Sequence, residues 1–258
     1  MGYNKFIRSG NNIEVYEYEK DMIVFHGTRH KVVDKPKVDK DAELTEMELG
    51  KRIDNTRKAS LEFRRLVSSN LDDKTLPLLL TVTYKENCTD LKQAYYDHKL
   101  FVQTLKYKYA KDNKNFKYIC VPEFQLRGAV HFHGLFWELP AEILLPERLK
   151  GYYENVSPTL SKIWGNGFVF LKPTDGDDKL SSYLAKYMAK AFVDPRLKHQ
   201  KAYASSRNVK RPYVVSNISS LWVLLDDYVG TDAVPVKENK YHTTYLGDAR
   251  YRLFKIKE

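Results

Sequence analysis

Cysteine is almost absent: Cys88 and Cys120 are the only two in 258 residues, and neither sits at a metal-knuckle spacing. A disulfide scaffold and a cysteine-based zinc module are thereby excluded. No apolar run is long enough to cross a bilayer, and Met1–Gly10 is polar, unlike a signal peptide. A soluble, intracellular protein with no membrane partner is expected, so the glycosylation-type triplets at Asn87, Asn155 and Asn217 read as chance matches. There is no repeat of fixed period and no low-complexity linker. No Walker A sequence occurs, so these residues hold no helicase motor.

Acidic residues are also in deficit. Lys and Arg number 43 against 33 Asp and Glu, a net charge of +10, with a pI near 9.3. That balance favours a polyanionic partner through phosphate neutralisation and counterion release. What is abundant is ordinary core material, 43% hydrophobic residues, and tyrosine, of which there are 19 beside 12 Phe. Exposed rings can stack on unpaired bases, although most of these are expected to fill a core.

Alternation over Ile13–Phe25 predicts one or two strands, and basic Lys31–Lys40 with Pro36 a loop. Glu43–Leu66 predicts a long charged helix carrying Arg52, Arg57, Lys58, Arg64 and Arg65, read as a solvated face. Leu78–Tyr84, apolar and β-branched, predicts a buried strand. Thr89 and Asp90 can cap a helix from Leu91 to about Ala110. Tyr118–Phe124 and Val130–Trp137 predict strands around a glycine-containing turn. Pro146–Trp164 reads as mostly helical with a break near Pro158, and Gly167–Lys172 as a short strand. Asp177 or Asp178 can cap a helix over Lys179–Phe192, and the remainder reads as short strands and loops. Interspersed elements with hairpin connections define an α+β domain with a central antiparallel sheet.

His131-Phe132-His133 is the sharpest local feature. On a strand both imidazoles face one way, with Val130 and Phe132 facing the other. Two such histidines form a bidentate metal site, or else belong to a hydrogen-bonded polar face. A three-residue loop of Leu126, Arg127 and Gly128 in the preceding hairpin would set Glu123 opposite His131 as a third ligand. A two- or four-residue loop would turn it away. Two imidazoles and one carboxylate suit Mn²⁺ or Mg²⁺ as a Lewis acid. Glu138 stands at a cupin-like spacing from His133, but the glycines and second histidine motif of a cupin are missing.

Tyr183 and Tyr187 are four apart on the predicted helix and therefore neighbours on one face. Lys186 and Lys190 each follow a tyrosine by three residues. Leu180, Tyr183, Leu184, Tyr187, Met188 and Ala191 also form an amphipathic stripe that, taken alone, reads as core before it reads as catalysis. As chemistry, a tyrosine can attack a phosphodiester and retain the strand as a phosphotyrosine ester. Ionising it at neutral pH costs about 4 kcal/mol, which a metal on the phosphate and a nearby lysine could offset.

LLLTVTYKEN, VPEFQLRGAVHFHGLFW and SYLAKYMAK occur in the order of the three motifs of HUH endonucleases. Over about residues 50–215 the chain resembles the rolling-circle replication initiators of bacterial phages and plasmids. The basic helix ending in RRLVSSN, IWGNGFVFL and AYASSRNVKRP add to the likeness. The resemblance implies a single HUH endonuclease domain over 1–258, RRM-like in arrangement, with flanking terminal elements and no helicase domain. It implies a metal held by His131, His133 and an acidic partner, placed at Glu123, and a tyrosine nucleophile. In related plasmid initiators the first of the two tyrosine positions is Glu, which assigns initiation to Tyr187 and the second transfer to Tyr183. In two-tyrosine phage initiators either acts. The implied partners are single-stranded origin DNA, a host helicase and a DNA polymerase, in the bacterial cytoplasm. Arg127, Lys172, Arg207, Lys210 and Arg211 are the candidate phosphate contacts. A transposase or relaxase of the same superfamily, or a non-catalytic RRM-like protein whose His and Tyr rings stack on bases, are the alternatives.

Overall fold

A computed structural model describes residues 2–21, 46–71, 75–109, 115–139, 156–174, 179–197 and 201–256. The expected loop at Lys31–Lys40, the first part of the Pro146–Trp164 helix and the capping Asp177 and Asp178 lie outside the described residues. The chain forms an α+β fold with two antiparallel five-stranded sheets, consistent with the RRM-like HUH arrangement. It divides into two compact units, Met1–Asn55 with Pro212–Glu258, and Thr56–Arg211. The sequence reading treats 1–258 as one domain; every motif residue falls in the second unit.

In that second unit the sheet order is β6-β3-β5-β4-β7, with β3 Leu78–Tyr84, β4 Lys117–Phe124, β5 Val130–Trp137, β6 Gly167–Pro173 and β7 Ala204–Ser205. β5 is the central strand, and all eight of its residues are buried. Gly134 is dictated by packing: a Cβ there would lie 2.2 Å from Cys120 Sγ. Around the sheet pack the part of α1 (Glu46–Ser68) from Thr56 onward, α2 Leu91–Tyr109, α3 Pro158–Trp164 and α4 Lys179–Val193. Asp90 caps α2, its carboxylate accepting from the amides of Lys92 at 2.8 Å and Gln93 at 3.3 Å. The Trp164 indole donates to the Thr83 carbonyl at 2.8 Å and joins α3 to β3.

Faces are assigned by alternation along β5. The Phe132 ring meets α2, stacking on His98 at 4.5 Å between centroids. Its neighbour His133 therefore points to the opposite side, where Tyr187 of α4 stacks on it.

The first unit holds the other sheet, ordered β8-β1-β2-β10-β9, from β1 Asn4–Ser9, β2 Asn12–Tyr18, β8 Tyr213–Ser216, β9 Lys237–Thr243 and β10 Gly247–Lys255. Strand structure starts earlier than alternation suggests, because Asn4–Ser9 pairs with Asn12–Tyr18 across a turn at Gly10, φ +59°. The expectation of only strands and loops after Phe192 is corrected by α5, Leu221–Val229. Its run LWVLL hides the helical period, which emerges only in the buried triad Leu221, Leu225 and Val229 packed against Phe6, Ile13, Val15 and Phe254.

Candidate functional site

The hairpin between β4 and β5 sets the register on which the site depends. Gln125 N donates to Ala129 O at 2.9 Å and Gly128 N to Gln125 O at 2.8 Å, closing a loop of Leu126, Arg127 and Gly128. Gly128 takes φ +89°, a region that disfavours a side chain. Glu123 consequently pairs with His131, and Phe124 with Val130. Directly opposed residues share a face, so Glu123, His131 and His133 lie on one side of the sheet.

On that side, Glu123 Oε2 is 2.8 Å from His133 Nε2, and Lys190 Nζ donates to Glu123 Oε1 at 2.8 Å. Burial pushes the Glu123 carboxyl up, but hydrogen bonds from Lys190 and His133 outweigh it and hold the group below the usual range. His131 is shifted down to about 4, first by burial and then by the positive charge of His133. His133 is lowered too, burial prevailing over its bond to Glu123. Both rings are therefore neutral at physiological pH, the form that ligates metal.

His131 Nε2 is buried and has no hydrogen-bond partner. Leaving such an atom unsatisfied costs about 1–3 kcal/mol, which a ligand to that nitrogen would relieve. This orphaned imidazole, a neighbouring neutral imidazole and a carboxylate fit a divalent cation chemically. Among the described residues, no three His, Cys, Asp or Glu side chains already converge as a metal cluster. The two histidine rings stand 6.4 Å apart and Glu123 is engaged by Lys190.

Helix α4 lies over this face. Tyr187 stacks on His133 with centroids 3.9 Å apart and planes 18° apart, and its hydroxyl donates to the Tyr183 hydroxyl at 2.9 Å. Burial raises the Tyr187 phenol above its ordinary value, followed by its bond to Tyr183 and the negative charge of Glu123. The amphipathic stripe divides: Leu184 and Ala191 enter the core, while Tyr183 is 38% exposed. Lys190 also stands 5.2 Å from the centre of the Tyr187 ring.

Lys186 does not join this cluster. At about 100° per residue it is displaced about 100° from Tyr187 around the helix, against about 60° for Lys190. It lines a groove with Arg57, Ser60 and Arg64 of α1 instead. Arg127 is exposed in the hairpin loop and donates to the Tyr84 carbonyl at 3.0 Å. Lys172, exposed on β6, pairs with Leu79 and so shares the histidine face two strands away. Arg207, Lys210 and Arg211 occupy the stretch between β7 and β8, pinned to the end of α1 where Lys210 N donates to Asn70 Oδ1 at 2.9 Å.

Three further residues escape the sequence reading. Thr81 pairs with His133, its hydroxyl 3.2 Å from Nδ1, and so orients the ring. The alternation Thr81-Val82-Thr83 in motif one is the signal that could have found it. Phe168 pairs with Thr83 on the same face and is 40% exposed. The Arg196 guanidinium, fixed by Asp194, lies 3.8 Å from the centre of the Phe124 ring.

An antiparallel sheet with a His-x-His strand at its centre and a tyrosine helix laid across it is consistent with a replication initiator of Rep type. Residues 77–192 match the family model described as Replication-associated protein ORF2/G2P, and over this segment the chain is similar to that family. The match runs from the start of β3 almost to the end of α4 and so takes in all three motifs. No curated protein and no solved structure matches the chain.

Proposed function

We propose that this replication-associated protein nicks single-stranded DNA at a replication origin and rejoins it through a 5′-phosphotyrosine ester. Tyr187 is the first nucleophile, and His131, His133 and Glu123 hold Mn²⁺ or Mg²⁺. The observation that carries this reading is the Tyr187 ring lying flat on His133, with the Tyr183 hydroxyl beside its own. A core tyrosine has no need of that position, whereas a nucleophile must stand beside the group that binds the phosphate.

In the reaction, Tyr187 Oη attacks the scissile phosphorus and the bond to the 3′ oxygen breaks. The 5′ phosphate stays on the tyrosine, and the departing 3′ oxygen takes up a proton to become a 3′-OH for polymerase. When bound, a divalent cation supplies Lewis acidity at a phosphate oxygen. Tyr187 already donates its proton towards Tyr183, whose exposure leads it on to solvent. Lys190 sets a positive charge beside the developing phenolate. Tyr183 then serves the second, closing transfer.

The exposed Phe168 ring and Lys172, on the same face, receive a base and a phosphate of the strand, and Arg127 a second phosphate. Arg207, Lys210 and Arg211 extend the basic surface. Work at a bacterial origin, in the host cytoplasm, leaves unwinding to a host helicase and synthesis to a host DNA polymerase.

The test is a covalent adduct on a denaturing gel, after incubation with an origin oligonucleotide and Mn²⁺. Tyr187→Phe should lose the adduct, while Tyr183→Phe keeps it and fails to rejoin. An adduct from the variant with both tyrosines replaced would place the nucleophile elsewhere.

A further inference from the structure

Behind the histidine strand, on the α2 side of the sheet, a cavity of about 880 Å³ opens between α2, β4 and the segment leading into β7. Its volume falls within the roughly 300–1,000 Å³ of small-ligand sites. Rings form its walls: Tyr95 and His98 from α2, Tyr118 from β4 and Tyr203 from the lead into β7. Lys92, Lys99 and Lys201 line it as well, all exposed, and among the described residues its lining includes no acidic side chain.

One wall is unusual. His98 is 2% exposed, and its Nε2 is buried without a hydrogen-bond partner. The ring stacks on Phe132, so the nitrogen is not left over from a polar network. Strand β7 adds backbone to the site, since among the described residues it pairs only with β4 and leaves its other edge open.

We propose that this cavity binds a nucleotide, with the base against the tyrosine rings and the phosphate at the lysines. Every base has a π face for a ring to stack on, and an ammonium group pairs with phosphate as a point charge. The open β7 edge supplies hydrogen bonds that the edge of a base requires. The nucleotide can belong to a DNA strand or be free; the recognition chemistry is the same. The site lies on the opposite face of β5 from His131 and His133, and it stands whether or not the tyrosine chemistry does.

The full chain would be irradiated with 5-iodo-deoxyuridine monophosphate, or with a short oligothymidylate carrying one 5-iodouracil, and the labelled peptides mapped by mass spectrometry. Label is expected on the peptides containing Tyr95, Tyr118 or Tyr203. Label from the oligonucleotide alone assigns the site to a DNA strand, and label from the monomer alone assigns it to a free nucleotide. Replacing Lys92, Lys99 and Lys201 together by Ala touches only exposed side chains and should weaken labelling about tenfold or more, through loss of charge-assisted contacts. The variant with Tyr183 and Tyr187 both changed to Phe should label like the wild type, which separates this site from the cleavage reaction. The proposal is overturned if neither probe labels these peptides, or if the triple lysine variant labels them unchanged.

Discussion

Replacing His98 by Phe should remove a pH-dependent weakness from the motif-bearing unit. His98 is enclosed by Phe132, Phe101 and Tyr118, with ring centroids at 4.5, 6.5 and 5.9 Å, and burial shifts it down from 6.5 to about 4. In the unfolded chain the same imidazole titrates at its ordinary value. Between these two values the unfolded state binds a proton that the folded state refuses, so stability falls as the pH falls. The contribution is fully present above about 6.5 and is lost progressively down to about 4. From these two values, lowering the pH from about 7 to about 4.5 costs about 2 kcal/mol from this one residue. Phe keeps the stack on Phe132, adds no titrating group, and leaves no buried nitrogen without a partner. Amide exchange of β5, followed in both proteins across that pH range, isolates the effect, because the carboxylates and the other histidines are common to both. The variant should match or exceed the wild type near neutrality and gain about 2 kcal/mol over it near pH 4.5. Parallel loss of stability in the two proteins would refute the assignment of the acid sensitivity to His98.

Gly134→Ala should destabilise the same unit by about 1–3 kcal/mol or more, because its Cβ meets Cys120 Sγ at 2.2 Å and Ile119 O at 3.2 Å in a filled core. Adding Cys120→Ala should restore much of the loss in thermal unfolding, since it removes the nearest of the three crowding atoms, leaving Phe136 Cε2 at 3.0 Å and Ile119 O. If the proposed cleavage holds, EDTA should abolish adduct formation and Mn²⁺ restore it, while a folded His131→Ala, His133→Ala variant stays inactive at any Mn²⁺ concentration; full activity of that variant would remove the histidines from the reaction. Binding to single-stranded DNA should weaken with salt by about 0.7 in log–log slope for each phosphate contacted, and Lys172→Ala should flatten the slope by about one such step. A slope unchanged in Lys172→Ala would take that residue out of the DNA path.

How much was legible in the sequence follows from the range of each signal. The position of Glu123 opposite His131 could be worked out because a hairpin register is local: three loop residues, one of them a glycine, decide it. The α4 helix and the pairing of its tyrosines were legible for the same reason. What could not be read was which side of α4 would meet the sheet. A stripe containing Leu184, Ala191 and two tyrosines has the same helical period whether the rings are core or site. Only the partner strand separates Leu184, fully buried, from Tyr183, 38% exposed. The two lysines show the same limit. Lys186 and Lys190 stand at equal spacing from a tyrosine, yet one lines the α1 groove and the other reaches Glu123.

Long-range pairings lay beyond local pattern altogether. Thr81 and His133 are 52 positions apart, and nothing in either motif alone says that the hydroxyl will meet Nδ1. Once β3 is paired with β5, however, period-two alternation forces Thr81 and Thr83 onto the face of both histidines. The three motifs are therefore not three separate devices. The first motif's strand orients an imidazole, the second motif's hairpin carries the carboxylate on β4 and the imidazoles on β5, and the helix lays its tyrosine across His133. A change at Thr81 should consequently act through the ring of His133: Thr81→Val keeps the β-branched shape and removes only the hydroxyl. If that bond holds the ring for the proposed cleavage, Thr81→Val should raise the Mn²⁺ concentration needed for half-maximal adduct formation by about tenfold, the lower end of what an outer-shell partner contributes, and leave the maximal yield nearly intact. A loss of maximal yield with no change in the Mn²⁺ requirement would mean that Thr81 supports the strand rather than the histidine.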